Sequence, residues 1–478
     1  LVAADAPGLL GETLAPIYSK LPAVMLHQVT ATAQRSTAHI RFTIEADDET
    51  IVDQVVDELR HLPVSTPETV RRLKPSFYVL ERLQRTSTHA AGNPYGRHPV
   101  REREMFFGRN DELTVILDRV QSSDKILFLR GRKRVGKTSL LWHLRDYHLD
   151  PNLFVPCHID FQLFGGVAGS ASLLFDIADA AFRDLQTNGR VGEVEPPIRD
   201  LFAESPAERL LEFLMQLRHH FAPRRLVVLL DEFSVVMDAY QQGRLPAEFF
   251  LQWRGILQAT SANIAYIMVV QQHTWETTAS QSASQVAHPI GQLLEIGASL
   301  PLKPLSDAEL RELIRRPTRN FLTYTPEALD QVVRLTGSSP FIVQAFCHAL
   351  VQHMAGQPHH VVSQEEVSTV AQQFMGGDET LFIHAMEGAG PSTYTICFGL
   401  ARLSGAQNAP VALAALAAEL PDMDGATLRT ILLVLCEQAV VLEPEPGRWR
   451  FASALFHQWL CANMHLEQAY RARGRNPA

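Results

Sequence analysis

The chain has 478 residues, 46% of them apolar and 20% charged, with a net charge of −9. That length exceeds what one core usually serves, so several domains are expected, and the acidic balance repels nucleic acid unless a local basic patch intervenes. The cysteines (Cys157, Cys347, Cys397, Cys436 and Cys461) are scattered, which excludes a disulfide frame or zinc site and predicts reduced thiols in the cytoplasm.

No apolar run reaches the roughly 20 residues a membrane helix needs. The chain opens on Leu1 without a methionine, which fits trimming or a longer parent with a further domain upstream. Residues 1–99 read as a small α/β unit plus linker. Ala23–Thr32 and Ala38–Ala46 alternate like strands. Asp47–Leu62 follows as a helix, with acids in its first turn and Ile51, Val55 and Leu59 on one face. The turn-rich His89–Pro99 then breaks the pattern.

Residues 100–304 change character. Short apolar runs at Lys125–Arg130, Leu153–Asp160, Arg225–Glu232, Ile264–Val270 and Leu293–Leu302 alternate with helical patterns. Such strands predict a parallel sheet covered on both faces. Residues 305–376 read as helices, with Ser306 and Thr325 as N-caps, Pro317 stopping the first helix and Gly337 ending the second. Residues 377–478 read helix, helix, helix, hairpin, helix. Pro446 and Gly447 form the hairpin turn, a pattern that suggests a winged helix.

The chemistry concentrates in "GRKRVGKTS", Gly131 to Ser139, directly after the first apolar strand. It fits G-x-x-x-x-G-K-[ST]. The glycines let successive N–H groups turn inward as an anion nest, and the following helix adds its positive end. Lys137 is placed to reach the β and γ phosphates of a nucleoside triphosphate, and Thr138 to put its hydroxyl on Mg²⁺. Gly131, Arg132, Lys133, Arg134, Val135, Gly136 and Ser139 complete the loop; a solvated loop tip is the alternative for some of its cations. In "LVVLLDE", Asp231 ends a buried strand where open α/β sheets place ligands. It suits Mg²⁺, and Glu232 suits polarising a water.

These elements together resemble P-loop ATPases of the AAA+/STAND group. The resemblance implies a sheet order of 5-1-4-3-2, a helical lid and a winged-helix domain. It also implies that Gln271 or Gln272, at the end of strand four, senses the γ-phosphate. "MFFGRNDEL" resembles the box that opens such domains, which implies Phe107, Gly108 and Arg109 near the adenine; an ordinary helix start at Asn110 or Asp111 is the alternative. Hexameric motors carry a finger arginine before strand five, yet no arginine lies between Arg254 and Arg311. "TGSSPFIVQ" is instead similar to the proline-led helix start of STAND ATPases, which implies Pro340 near the base.

The resemblance thus implies a slowly hydrolysing ATPase switch with Glu232, Lys137 and Gln271 as catalytic groups. Its expected partners are copies of itself or another protein. An effector upstream or on a separate chain fits signalling or anti-phage defence. An initiator-like or transposition-like DNA-binding ATPase and a non-hydrolysing scaffold are the alternatives. Lysines are missing after Lys303 and the wing "EPEPGRWR" balances two acids against two arginines, which gives DNA binding little support. His457 reads either as a contact to the β-phosphate of ADP or as a core-edge histidine.

Overall fold

The computed structural model describes residues 2–4, 24–34, 37–46, 54–55 and 92–467, the last range apart from 123–124, 165–168, 193, 273, 276–287, 358–359, 377–381, 383–390 and 438. The chain divides into two compact units, Leu1–Gln84 and Arg85–Ala478. In the first, β1 (Val2–Ala4), β2 (Val24–Gln34) and β3 (Thr37–Ala46) form an antiparallel sheet of order β1-β3-β2. Val24 faces Ala46 and Gln34 faces Thr37 across the β2–β3 ladder. Both expected strands are present. Of the expected helix, Gln54 and Val55 are helical and the rest lies outside the described residues.

The second unit starts its layered part with α1 (Asn110–Gln121), β4 (Ile126–Gly131) and α2 (Lys137–His143). There follow β5 (Phe154–Asp160), α3 (Ser170–Thr187), α4 (Pro206–Phe221) and β6 (Arg225–Asp231). Then come α5 (Ser234–Gln241), α6 (Ala247–Thr260), β7 (Ile264–Gln271), α7 (Pro289–Leu294) and β8 (Ala298–Pro301). The five strands are parallel in the order β5-β6-β7-β4-β8. Counted from β4 as strand one, this is the expected 5-1-4-3-2.

Period-two alternation explains why these strands read as unbroken apolar runs. Phe128, Val228, Leu230, Tyr266 and Met268 enter one core with residues of α3, α4 and α6. Their neighbours Leu127, Leu129, Val227, Leu229 and Ile267 enter a second core with residues of α1 and α2. The last strand is shorter than expected. Pro289 at the first turn of α7 makes Leu293 helical, and pairing with β4 begins only at Ala298.

The chain continues with α8 (Asp307–Arg315), β9 (Thr323–Tyr324), α9 (Pro326–Thr336), α10 (Pro340–Ala355), β10 (Val361–Val362) and α11 (Gln364–Met375). Ser306 caps α8 in a full capping box with Glu309, and Thr325 caps α9. Beyond lie α12 (Pro391–Ser404), β11 (Val411–Ala412), α13 (Leu413–Glu419), α14 (Gly425–Glu437), β12 (Val441–Glu445), β13 (Arg448–Phe451) and α15 (Ala454–Ala462). These last strands form a sheet of order β11-β13-β12, and Pro446 and Gly447 make the hairpin turn. One apolar cluster runs from Leu313 and Phe346 through to Trp449 and Trp459, so packing is continuous from α8 to α15. All five cysteines are free. Among the described residues, no helix is long and apolar enough to cross a membrane.

Candidate active site

The strand ends build the site. Gly131 closes β4, Asp231 closes β6 and Gln271 closes β7, all at the carboxyl edge of the sheet. The loop after β4 turns back through Arg134 (φ 65°) and Gly136 (φ 102°), both left-handed, before α2 begins at Lys137. Lys137 is 4% exposed, and its Nζ donates to the carbonyls of Gly131 (3.0 Å) and Arg132 (2.8 Å). Burial lowers its pKa; the charges of Glu232 and Asp231 oppose that, and Arg132 and Lys133 add to it. A polyanion in the loop therefore favours the charged ammonium. Burial also brings the half-buried Arg132 guanidinium down to about 10.

The acids sit opposite. Asp231 is 2% exposed, and its Oδ1 accepts the Glu232 N–H at 3.0 Å. Its Oδ2 lies 3.8 Å from His158 Nε2 of β5. Glu232 takes a left-handed φ of 53°, a strained conformation for a residue with a Cβ. Its Oε2 accepts Gln271 Nε2 at 3.0 Å, while the Gln271 N–H donates to Ser234 Oγ at 2.6 Å. Of the two glutamines at the end of β7, Gln271 thus touches the acid pair.

A cavity of about 430 Å³ joins these groups. Lys133 to Ser139, Asp231, Glu232, Phe107, Arg109 and Pro340 border it; Gly108, Gly131, Arg132 and Gln271 stand outside its lining. Gly108 takes a left-handed φ of 71°, which favours glycine, and a Cβ there would have to displace the Glu309 carboxylate. Arg109 occupies the N-cap position of α1 in a left-handed conformation, so neither Asn110 nor Asp111 caps this helix. Its Nη2 donates to the Val135 carbonyl (3.1 Å), and its Nη1 donates to the Lys303 carbonyl and to Glu112 Oε1 (3.2 Å). Arg109 therefore ties the phosphate loop to the passage after β8. Arg134 stacks its guanidinium 3.9 Å from the Phe341 ring centroid, linking the loop to α10. His457 is 1% exposed and contacts Ser404 Oγ (3.0 Å) and Cys461 Sγ (3.4 Å) away from this cavity, as a core histidine.

Other residues enter that the motif reading left aside. Asp160 and Gln162, at the carboxyl end of β5, border the cavity beside Asp231. Burial, then the Asp231 charge, raise the Asp160 carboxyl, while the Gln162 N–H and His158 pull it down. The signal was legible: "CHID" is another apolar strand ending in an acid. Residues 96–100 also line the cavity as a strap. The Val100 N–H donates to Ser139 Oγ at 2.9 Å, and Tyr95 Oη donates to the Ile314 carbonyl at 2.5 Å. His348 Nδ1 meets the Tyr95 carbonyl at 2.7 Å.

A Walker-type ATPase of Pyrococcus abyssi is similar in structure, with a TM-score of 0.54 and 15% identity, over 76% of this chain and 98% of that one. The ORC2 protein of Aeropyrum pernix, solved in ADPNP–ADP complexes, gives a TM-score of 0.52 and 14% identity over 81% and 99%. The fold is that of the P-loop ATPases. No protein-family model and no curated protein matches the chain.

Proposed function

We propose that the chain is an ATP-binding, slowly hydrolysing molecular switch of STAND-like organisation. Residues 100–304 form its nucleotide core, 305–376 its lid and 377–478 a winged helix, with 1–99 an added α/β domain and linker. One observation carries the reading: a single cavity brings together the phosphate loop, the acid pair and the proline-led start of α10. The inward N–H groups and the Lys137 ammonium hold the polyphosphate, which takes over from the Gly131 and Arg132 carbonyls as the partner of Nζ. Thr138 and Asp231 offer the hydroxyl and carboxylate oxygens that Mg²⁺ takes. Mg²⁺, when bound, neutralises part of the phosphate charge. Glu232 orients a water for attack and Gln271 positions Glu232. Phe107 and Pro340 border the space for the base.

Two features support slow turnover. Glu232 already accepts a hydrogen bond from Gln271, and the sequence offers no arginine between Arg254 and Arg311 to stabilise transition-state charge. The Arg134–Phe341 stack connects the loop to the lid, so ADP and ATP acting on the loop bias the lid differently. Self-association or a partner protein reads out that bias, in a cytoplasmic signalling or defence setting. Glu232→Gln should retain nucleotide binding and lower hydrolysis by about 100-fold or more, while Lys137→Ala should abolish binding. Sizing the protein with ADP and with a non-hydrolysable ATP analogue tests the switch, and identical profiles refute it. If wild type and Glu232→Gln release no phosphate alike, a binding scaffold replaces the enzyme.

The hairpin beside α14 and the likeness to ORC2 favour a second reading, DNA binding by an initiator-like ATPase. Against it, Arg448 pairs with Glu445 at 3.7 Å. Steeply salt-dependent gel shifts would decide for DNA.

A further inference from the structure

At the opposite, amino-terminal edge of the sheet lies a cleft of about 400 Å³. β6 is seven residues long, so this edge is about 20 Å from the phosphate loop by strand rise. Arg218 at the end of α4, and Arg224 and Arg225 at the start of β6, line the cleft beside Asn263. Lys125, 6% exposed, stands next to them. Its Nζ donates to the carbonyls of Ala262 (2.6 Å) and Ser261 (3.2 Å). Arg225 donates to the Val120 carbonyl. With the Asn263 amide turned so that its oxygen faces inward, Arg218 donates to it from Nη2 (2.6 Å) and Nε (2.9 Å). Arg224 is exposed and lies over the Phe221 ring at 5.8 Å.

Amide dipoles thus orient Lys125, Arg218 and Arg225, yet none of the four has a carboxylate partner among the described residues; Ser123 and Asp124, before Lys125, lie outside them. In a chain of net charge −9, three arginines lining one cleft, with Lys125 behind Arg225 and no carboxylate partner among the described residues, concentrate a positive field. Guanidinium forks match phosphate oxygens in pairs. The volume falls in the range of small-molecule pockets. Leu153, 56% exposed, supplies an apolar wall with Phe154 and Pro223.

We propose that this cleft is a second anion site, separate from the phosphate loop, for a small molecule bearing one or more phosphates. The phosphate lies against Arg218, Arg224 and Arg225, and the rest of the molecule against Leu153. Calorimetric titration of inorganic pyrophosphate into the full chain tests this, with Arg224→Gln and Lys137→Ala as the informative variants. The Arg224 side chain is exposed and has no hydrogen-bond partner among the described residues, and a glutamine keeps its backbone N–H bond to the Phe221 carbonyl (2.9 Å), so its replacement leaves folding intact; Arg218→Gln serves as a second variant. The expected result is affinity lowered about 10- to 100-fold in Arg224→Gln, the range for one charge-assisted contact, and a site retained in Lys137→Ala. That comparison is read whether or not the phosphate loop binds nucleotide. Identical titrations in wild type and both arginine variants overturn the proposal, as does loss of all binding in Lys137→Ala. A duplex oligonucleotide that displaces pyrophosphate, and weakens in Arg224→Gln, assigns the cleft to nucleic-acid backbone and overturns the small-molecule assignment. A duplex that does not compete upholds it.

Discussion

Arg109 is the sharpest test of how the site is held. Resemblance puts this arginine near the adenine, whereas its guanidinium donates to the Val135 and Lys303 carbonyls and to Glu112. The side chain is 5% exposed, and burial lowers its pKa against the pull of Glu112. Arg109→Ala strands two carbonyl acceptors and leaves the half-buried Glu112 carboxylate without its guanidinium partner. At about 1 to 3 kcal/mol for each stranded group, less what entering water returns, the loss is about 2 to 4 kcal/mol of stability. The backbone adds a second handle. Arg109 has φ 69°, a conformation that carries a penalty of about 1 to 2 kcal/mol for any residue with a Cβ. Arg109→Gly should therefore lose about 1 kcal/mol less than Arg109→Ala, and Arg109→Lys should recover one carbonyl contact only. Denaturant melts give stability, and titration with a fluorescent nucleotide gives affinity. A loosened loop should weaken nucleotide about tenfold, in step with stability across the three variants. Unchanged stability with abolished nucleotide binding would refute the reasoning, because Arg109 would then act by touching the base.

Gly337→Ala should destabilise by about 2 to 3 kcal/mol, since φ is 66° and a Cβ would lie 3.1 Å from the Ala452 carbonyl oxygen, which is backbone and cannot step aside. Gly447→Ala, at φ 75° with open space around it, should lose only about 1 kcal/mol in the same melts; equal losses would contradict the steric account. Burial lowers the pKa of His143 and of His457, so the unfolded chain takes up their protons first, at about pH 6.5. Their stabilisation is full above that pH and declines as pH falls below it. His143→Phe keeps the stack on Phe106, whose ring centroid is 3.9 Å away, and should flatten part of that acid decline in thermal melts. Arg134→Ala removes a cation–π contact of about 0.5 to 2 kcal/mol and should raise the rate at which a protease cuts the α9–α10 junction; an unchanged rate would remove the loop–lid coupling.

The core was legible because its chemistry is contiguous. A strand buried on both faces must be apolar at every position, and a phosphate loop must carry its glycines, lysine and hydroxyl in one stretch. The winding of α7 was harder to see, since a short apolar run around Leu293 fits helix and strand equally until Pro289 is taken as a helix start. The cation run that looked redundant divides by place: Arg132 is half-buried and outside the cavity lining, Lys133 borders the cavity and Arg134 stacks on Phe341. Arg109 and the strap at 95–100 could not be read forward. Their partners, Val135, Lys303, Ile314 and His348, lie far along the chain, and no local spacing encodes such contacts.

Those distant contacts set the scale of the proposed switch. Moving a two-state equilibrium from 1:99 to 99:1 takes about 5.5 kcal/mol of differential binding. The Arg134–Phe341 stack supplies about 0.5 to 2 kcal/mol of any loop–lid coupling. The strap adds the Tyr95–Ile314 and His348–Tyr95 bonds on the lid side and the Val100–Ser139 bond on the loop side. Each is worth about 1 kcal/mol net. Stack and strap together approach the required sum only if they break as a set. The proposed switch therefore calls for cooperative opening: the strap must let go of α8 and α10 as the lid moves off the loop. Removing the Tyr95 hydroxyl with Tyr95→Phe should shift the ADP and ATP-analogue states by similar factors if the strap is bystander, and by different factors if it belongs to the moving set.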